Sequence, residues 1–382
     1  MGSEEDIDKH VLRKYEIQQK LGKGAYGVVW KAVDKKTRET VALKKIFDAF
    51  QNATDAQRTF REILFLQELG DHENIVKLTN VLKADNDKDI YLVFEFMETD
   101  LHAVIRANLL EDIHKRYIMY QLFKSIKYMH SGQVLHRDIK PSNLLLNSDC
   151  LMKLADFGLA RSLTQDNEDD SKVLTDYVAT RWYRAPEILL GATKYTKAVD
   201  MWSLGCILGE LLSGKAIFPG TSTMNQLDRI IEVTGKPSPE VLEEIDAPYA
   251  ATMLDSLGDV KRRNLRDMFP NAAEDALDLM SKLLDFSPVT RYNINQTLEH
   301  PYVAQFHNPD EEPVCEKPVE VPINDDTKYK IGDYRKKLYE DIVKKRKEQR
   351  SAKKTRSEKS SSSTKEGKEK KKKKSSKTED SE

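Results

Sequence analysis

The sequence has few cysteines and no long apolar run, and each shortage closes off a class of protein. Cys150, Cys206 and Cys315 are the only cysteines in 382 residues, and they stand far apart. No CxxC or Cys/His ligand spacing exists, which excludes a zinc ribbon or a disulfide-stapled scaffold. Cys206 lies in the mostly apolar run from Trp202 to Leu212, where a buried, reduced thiol is expected. No stretch approaches the roughly 18 apolar residues of a membrane span. The acidic start, Met1-Gly2-Ser3-Glu4-Glu5-Asp6, lacks the basic and apolar regions of a secretory signal. Asp6 also stands where a myristoylation site needs Ser or Thr. A reducing compartment, cytoplasm or nucleus, is the expected location.

Charge is plentiful and unevenly placed. Charged residues make up 33% of the chain against 39% hydrophobic. Residues 344–382 hold 17 Lys/Arg against 7 Asp/Glu, and the whole chain is −1, so an acidic body of −11 precedes a basic tail. After about residue 350 the chain is almost wholly Ser, Lys, Thr and Glu, from which no core can be built. The run Lys370-Lys371-Lys372-Lys373-Lys374 has three readings, a nuclear import signal, an anionic-surface contact or mere solvation, and an import or localisation role is the one expected. Nothing in the composition points to a direct nucleic-acid role. The length exceeds what one hydrophobic core fills, so two packed lobes are expected.

The first hundred residues are sheet-rich. Tyr15-Glu16-Ile17, Val28-Val29-Trp30 and Val41-Ala42-Leu43 read as antiparallel strands, with Gly22 opening the turn between the first two. Residues 55–69 switch to helical spacing, and Ile90 to Phe94 is a buried strand. From about residue 101 the pattern is mainly helical. Ile113, Tyr117, Tyr120 and Phe123 fall on one face of a long helix. Val199 to Leu212 is apolar almost all round, as a helix through a domain centre would be. Ala273 to Leu284 is a further helix, ended by Ser287-Pro288. Tyr334, Leu338 and Ile342 make an apolar stripe at helical spacing.

Several short motifs carry chemistry. Gly22-Lys23-Gly24-Ala25-Tyr26-Gly27 is a GxGxxG between strands with no helix after it, which rules out a dinucleotide-binding fold. Such a segment can bring backbone N–H groups close to phosphate oxygens, or be an ordinary hairpin turn. Lys44 ends a buried strand and needs an anionic partner, for which Glu62 on the next helix is a candidate. A strand-end lysine reaching solvent is the plainer alternative. His136-Arg137-Asp138-Ile139-Lys140-Pro141-Ser142-Asn143 is more specific. Asp138 can accept a hydroxyl proton, Lys140 can neutralise a moving phosphoryl group, and the Asn143 amide oxygen can ligate Mg²⁺. Asp156-Phe157-Gly158 adds a second metal-binding carboxylate.

In this order, and with Ala185-Pro186-Glu187 following, the motifs resemble the eukaryotic protein kinases over residues 15–303. The resemblance implies a bilobal α+β fold. A β-rich N-lobe would span about 15–97 and a helical C-lobe about 98–303. Residues 1–14 would precede the domain as an extension, 304–349 would dock back on it, and 350–382 would be a disordered tail. It also implies ATP and Mg²⁺ as cofactors. Asp138 would be the base, Lys44 and Glu62 the phosphate clamp, Lys140 the γ-phosphate contact, and Asn143 and Asp156 the metal ligands. Gly22, Gly24, Gly27, Val29 and Ala42 would cover the nucleotide, with Phe94 behind the adenine. The backbone of Glu95 and Met97 would bond the adenine edge, and Asp100 would face the ribose.

Leu174-Thr175-Asp176-Tyr177-Val178-Ala179-Thr180-Arg181-Trp182-Tyr183-Arg184 resembles the dual-phosphorylation loop of mitogen-activated protein kinases. Phosphorylated Thr175 would then meet Arg61, Arg137 and Arg161, and phosphorylated Tyr177 would meet Arg181 and Arg184. The central Asp176, the Val199–Glu210 and Phe218–Thr223 stretches, and the helix from Tyr334 resemble the atypical extracellular-signal-regulated kinases, the seventh and eighth of that series. That branch implies activation by autophosphorylation and substrates in which Ser or Thr precedes Pro, with Val178 and Arg184 shaping the proline pocket. A groove for basic partner segments would lie near Asn308-Pro309-Asp310-Glu311-Glu312, and the protein would be a monomer. Two alternatives stand beside this reading. One is a cyclin-dependent kinase, though Arg58-Thr59-Phe60-Arg61-Glu62-Ile63 lacks the cyclin-binding signature. The other is a kinase-shaped scaffold.

Overall fold

The computed structural model describes residues 6–24, 27–163, 181–192, 196–321, 329–340 and 342. Thr175, Tyr177 and the lysine run lie outside these residues. The chain divides into two units, 1–328 and 329–382.

The first unit opens with the short helix α1 (Lys9–Leu12) and strands β1 (Tyr15–Gly24), β2 (Gly27–Asp34) and β3 (Thr40–Ile46). Helix α2 (Ala53–Leu69) follows, then β4 (Leu78–Lys83) and β5 (Ile90–Glu95). The five strands form an antiparallel sheet in the order β1-β2-β3-β5-β4. Period-two alternation divides it into two faces. Val41, Leu43, Tyr91 and Val93 join Val11, Tyr15 and Ala32 in a buried cluster. On the opposite face, Val29 stands across from Lys44 and Ala42 across from Phe94. That face is the roof of the cleft.

Residues 6–14 do not stand apart from this lobe. Val11 is fully buried in its core, the Lys45 ammonium donates to the Asp6 carbonyl at 2.8 Å, and Asp8 N–H donates to the Tyr91 hydroxyl at 3.2 Å. The expected turn at Gly22 is also displaced. Gly22 lies within β1 opposite Val29, at a register shift after Lys20, and the strands continue to the Gly24–Gly27 pair. A bulge there absorbs the glycine that the sequence suggested would reverse the chain.

The helical lobe begins with β6 (Thr99–Asp100), α3 (Leu101–Ala107) and α4 (Asp112–Ser131). Four short strands follow: β7 (Val134–Leu135), β8 (Leu144–Leu146), β9 (Met152–Leu154) and β10 (Arg161–Ser162). They pair as β6-β8-β9 and β10-β7. The remaining helices are α5 (Pro186–Leu189), α6 (Ala198–Ser213), α7 (Thr223–Thr234), α8 (Pro239–Ile245), α9 (Ala250–Asp255), α10 (Leu265–Met268), α11 (Glu274–Leu283) and α12 (Ile294–Leu298). Helix α6 is buried continuously from Val199 to Leu211, as its all-round apolar surface requires. Helix α4 differs from the expected stripe. Ile113 is 39% exposed, and continuous burial begins at Ile118, because only the later turns run through the lobe interior.

Residues 304–321 return along this lobe. Cys315 N–H donates to Ser131 Oγ at 2.8 Å, and Val319 N–H donates to the Gly132 carbonyl at 2.9 Å. All three cysteines are free, and burial raises the Cys206 thiol well above its ordinary range. Among the described residues no helix is long and apolar enough to cross a membrane. In the second unit residues 331–340 are helical, and Tyr334, Leu338 and Ile342 are buried.

Candidate active site

The roof of the cleft supplies a cation. Lys44, on β3, places its ammonium 2.8 Å from Glu62 Oε1 on α2. Helix α2 begins where Asn52 accepts the Asp55 N–H at 2.9 Å, a cap that fixes its register. Burial works against the Lys44 charge, but Glu62 and Asp156 outweigh it and hold the ammonium above its ordinary pKa. Lys44 is therefore a permanent cation facing the cleft. Above it, β-carbons built on Gly22 and Gly24 would meet nothing within 4 Å, so their backbone lies open to a ligand. Gly27 is glycine for another reason: a β-carbon there would lie 2.0 Å from the Lys45 carbonyl oxygen.

The floor supplies carboxylates. Asp138 Oδ2 accepts from Lys140 Nζ at 2.8 Å and from Asn143 Nδ2 at 3.2 Å. Asn143 Nδ2 also donates to the Asp138 carbonyl at 2.9 Å, so its amide oxygen is the atom left to face a cation. Asp156 follows β9 with a φ of 64°, in the left-handed region that Asp tolerates better than most residues. Burial opposes its charge, yet Lys44, Arg58, His136 and Lys140 together hold the carboxyl below its ordinary value. The ionised Asp156 carboxylate and the Asn143 amide oxygen offer oxygen donors of the kind Mg²⁺ takes.

The two carboxylate segments are bolted together. His136 Nε2 donates to the Ala155 carbonyl at 3.1 Å, and its ring packs edge-on to Phe157 with centroids 5.1 Å apart. Its Nδ1 accepts from Asp138 N–H at 3.3 Å, which assigns the tautomer. Arg137 holds a φ of 68°, strained for an arginine. Asp200 offsets that strain by accepting Arg137 N–H at 2.8 Å, His136 N–H at 3.0 Å and His130 Nε2 at 3.0 Å. Asp200 is fully buried in the first turn of α6, and burial is outweighed by His130, His136 and the Arg137 N–H, so its pKa is depressed. Sequence reading passed over this residue. Its one signal was a carboxylate in the first turn of a mostly apolar helix.

The remaining expected residues are placed as follows. Phe94 is buried at the end of β5, Glu95 N–H donates to the Lys77 carbonyl at 3.2 Å, and Met97 lies in the linker to β6. Asp100 caps α3, accepting Ala103 N–H at 2.9 Å. Arg61 is buried on α2 beside Glu62. Arg161 pairs with Leu135 across β10 and β7, two residues from Arg137, whose Nη1 donates to the Leu159 carbonyl at 3.3 Å. Arg181 opens a short 3₁₀ turn (Arg181–Tyr183), followed by Arg184. Glu187 makes a bidentate pair with Arg291 at 2.7 and 2.9 Å, another partnership sequence reading missed.

The acidic stretch after residue 307 is less acidic at its surface than expected. Glu312 turns inward, with no exposed side chain, and pairs with His307 at 2.7 Å and Lys127 at 3.1 Å. Burial opposes its charge, but those partners prevail and its pKa falls. Asn308 caps the turn that holds Asp310 and Glu311, the two acidic residues of the 308–312 stretch that stay exposed.

A two-lobed frame with a clamped lysine above two carboxylates defines a protein kinase. Residues 15–303 match the family described as protein kinase domain, and the chain belongs to it. The chain is 69% identical over 349 residues to "Extracellular signal-regulated kinase 2" of Dictyostelium discoideum, covering 91% of this chain and 95% of that protein. It is 57% identical to "Mitogen-activated protein kinase 15" of Xenopus laevis, over 89% of this chain and 59% of that protein. It is 47% identical to "Extracellular signal-regulated kinase 7" of Drosophila melanogaster, over 88% of this chain and 37% of that protein. It is a serine/threonine kinase of mitogen-activated type, in the branch of the seventh and eighth extracellular-signal-regulated kinases. The cyclin-dependent and scaffold readings are not favoured.

Proposed function

We propose that this kinase transfers the γ-phosphoryl group of Mg²⁺-bound ATP to serine or threonine followed by proline. Asp138 orients the acceptor hydroxyl and takes its proton, while Lys140 beside it neutralises charge on the phosphoryl oxygens. Lys44, held by Glu62, grips the α- and β-phosphates under the open backbone of Gly22 and Gly24. Phe94 closes the back of the adenine pocket, Val29 and Ala42 roof it, and the backbone of Glu95 and Met97 bonds the adenine edge. Asp100 faces the ribose with the carboxyl oxygen not used in its cap. Asn143 and Asp156 would hold Mg²⁺, which supplies neutralising charge to the phosphates when bound. The observation that carries the reading is the 2.8 Å Lys44–Glu62 pair facing an ionised Asp156.

Control falls to Thr175 and Tyr177. Phosphate on Thr175 pairs with Arg61, Arg137 and Arg161, and phosphate on Tyr177 with Arg181 and Arg184. The proximity of Arg161 to Arg137 through the β7–β10 pairing supports this assignment. The chain phosphorylates its own loop. Mass spectrometry of protein made in bacteria, before and after ATP, tests both activity and self-activation. The parent should gain phosphate on Thr175 and Tyr177. An Asp138→Asn protein that still gained it on Tyr177 would falsify self-activation.

Partners with basic docking segments bind at Asp310 and Glu311. The protein works as a monomer in the cytoplasm, the nucleus or both, with the lysine tail directing localisation. Removing residues 350–382 from a fluorescent fusion should redistribute it, and an unchanged distribution refutes that role.

A further inference from the structure

Behind the adenine pocket, charges from four elements meet in a chain that the phosphate chemistry does not use. Glu95, at the end of β5, directs Oε1 to Lys153 Nζ at 3.0 Å. The same oxygen accepts Lys77 N–H at 2.7 Å. Lys153, on β9, also donates to the Glu73 carbonyl at 2.7 Å. Glu73 pairs in turn with Lys124 of α4. Lys153 and Lys124 are both buried, so neither is an incidental surface cation.

The chain joins parts that belong to different lobes. The segment from residue 72 to 77, after α2, is stitched to β9 by Leu154 N–H donating to the Asn74 carbonyl at 2.8 Å and Val76 N–H to the Leu154 carbonyl at 3.0 Å. Asn74 Nδ2 donates to the Met152 carbonyl at 3.0 Å. β9 therefore serves as the fixed floor, and Asp156 lies two residues beyond its end. Glu95 and the linker after it would otherwise be free to shift as the lobes move. A buried ammonium shared between a carboxylate and a carbonyl resists that shift, because losing either contact leaves the buried Lys153 charge short of a partner.

We infer that Lys153 is a positioning residue for ATP: through Glu95 it sets the strand that presents backbone groups to the adenine. The inference rests on the assignment of Glu95 and Met97 to the adenine edge. Lys153 touches neither phosphate nor acceptor, so it acts on nucleotide binding in ground state and transition state alike. Such uniform binding raises KM when lost and leaves kcat in place.

The test measures initial rates against ATP concentration for parent, Lys153→Met and Lys153→Arg, with thermal unfolding of each. The Met variant should raise KM for ATP about fivefold with kcat within twofold, and the Arg variant should restore KM to within about twofold of the parent. An unchanged KM in a destabilised Met variant makes the lysine merely structural and overturns the inference. So does a fall in kcat at constant KM, or a gain in activity. If the Met variant does not fold, Glu95→Gln replaces it: KM should rise about twofold, and an unmoved KM again overturns the inference. Binding of ADP to a Met97→Pro protein separates the underlying assignment. Undiminished ADP affinity there refutes the adenine contacts themselves, whereas weakened affinity with an unmoved KM in the Lys153 variants refutes only the role of Lys153.

Discussion

Two cation–carboxylate pairs, one in the sheet-rich lobe and one in the helical lobe, are built for different ends. Glu187 and Arg291 meet in a bidentate pair with side chains 3% and 0% exposed, and Arg291 also donates to the Ala198, Asp285 and Phe286 carbonyls. Every donor of that guanidinium is directed at protein. Lys44 and Glu62 share one contact, and Lys44 keeps 27% of its side chain exposed toward the cleft. The closed pair has no valence left for a ligand. The open pair has an ammonium with donors to spare. Burial sets what an ion pair can do: completely satisfied, it fixes a frame, and incompletely satisfied beside open space, it receives an anion.

The largest effect that separates them is on rate. Asp138→Asn should lower kcat by about 10²–10⁴-fold, measured with radiolabelled ATP and a generic basic protein, while the melting temperature stays close to the parent's. Lys44→Met should follow it, with a large loss of phosphoryl transfer and a loss of stability smaller than that of Arg291→Met, since the Glu62 carboxylate it leaves is buried but lies beside a cleft already open to water. Retained activity in either variant breaks the assignment of the open pair. Arg291→Met should do the reverse. Removing one partner of a closed pair leaves the Glu187 carboxylate buried, at a cost of roughly 3–5 kcal/mol in denaturant unfolding. A loss as small as that of Lys44→Met would erase the contrast.

Asp200 belongs with the closed group and adds a pH signature. Its folded pKa lies below the ordinary value of 3.8, so it contributes stability above that pH and loses it as pH falls through the folded value. The gap in unfolding free energy between parent and Asp200→Asn should therefore be widest near neutrality and close below about pH 4. A gap that is constant across pH would mean that the carboxylate charge is not what holds Arg137 and His136.

How far each of these was legible depended on distance along the chain. Asp138, Lys140 and Asn143 act within one short segment, so their spacing alone described the site. Glu62 could be paired with Lys44 because one strand and one helix face separate them. Asp200 acts on His136 across 64 residues, and Arg291 on Glu187 across 104, and no local pattern carries such a partnership. The fold was legible in the same proportion. Short β-branched and aromatic runs gave β2 and β3, a continuous apolar run gave β5, and apolar density gave α6. The Gly22 bulge and the exposed Ile113 were not legible, because both depend on which neighbour the element meets.

Glu312 offers the smallest and sharpest version of the comparison, because Glu311 lies next to it and faces water. The sequence treats the two as one acidic patch. In the structure Glu312 is closed against His307 and Lys127, whereas Glu311 is exposed. Glu312→Gln should cost about 1–2 kcal/mol, because hydrogen bonds to a charged group weaken while Lys127 can still reach solvent. It should leave the affinity of a basic docking peptide unchanged. Glu311→Gln should leave stability within about 0.5 kcal/mol and weaken the peptide, more at low salt than at high. Denaturant curves and fluorescence anisotropy on the same two proteins decide it. If Glu312→Gln weakened the peptide as much as Glu311→Gln, burial would not be the property that divides structural carboxylates from receiving ones.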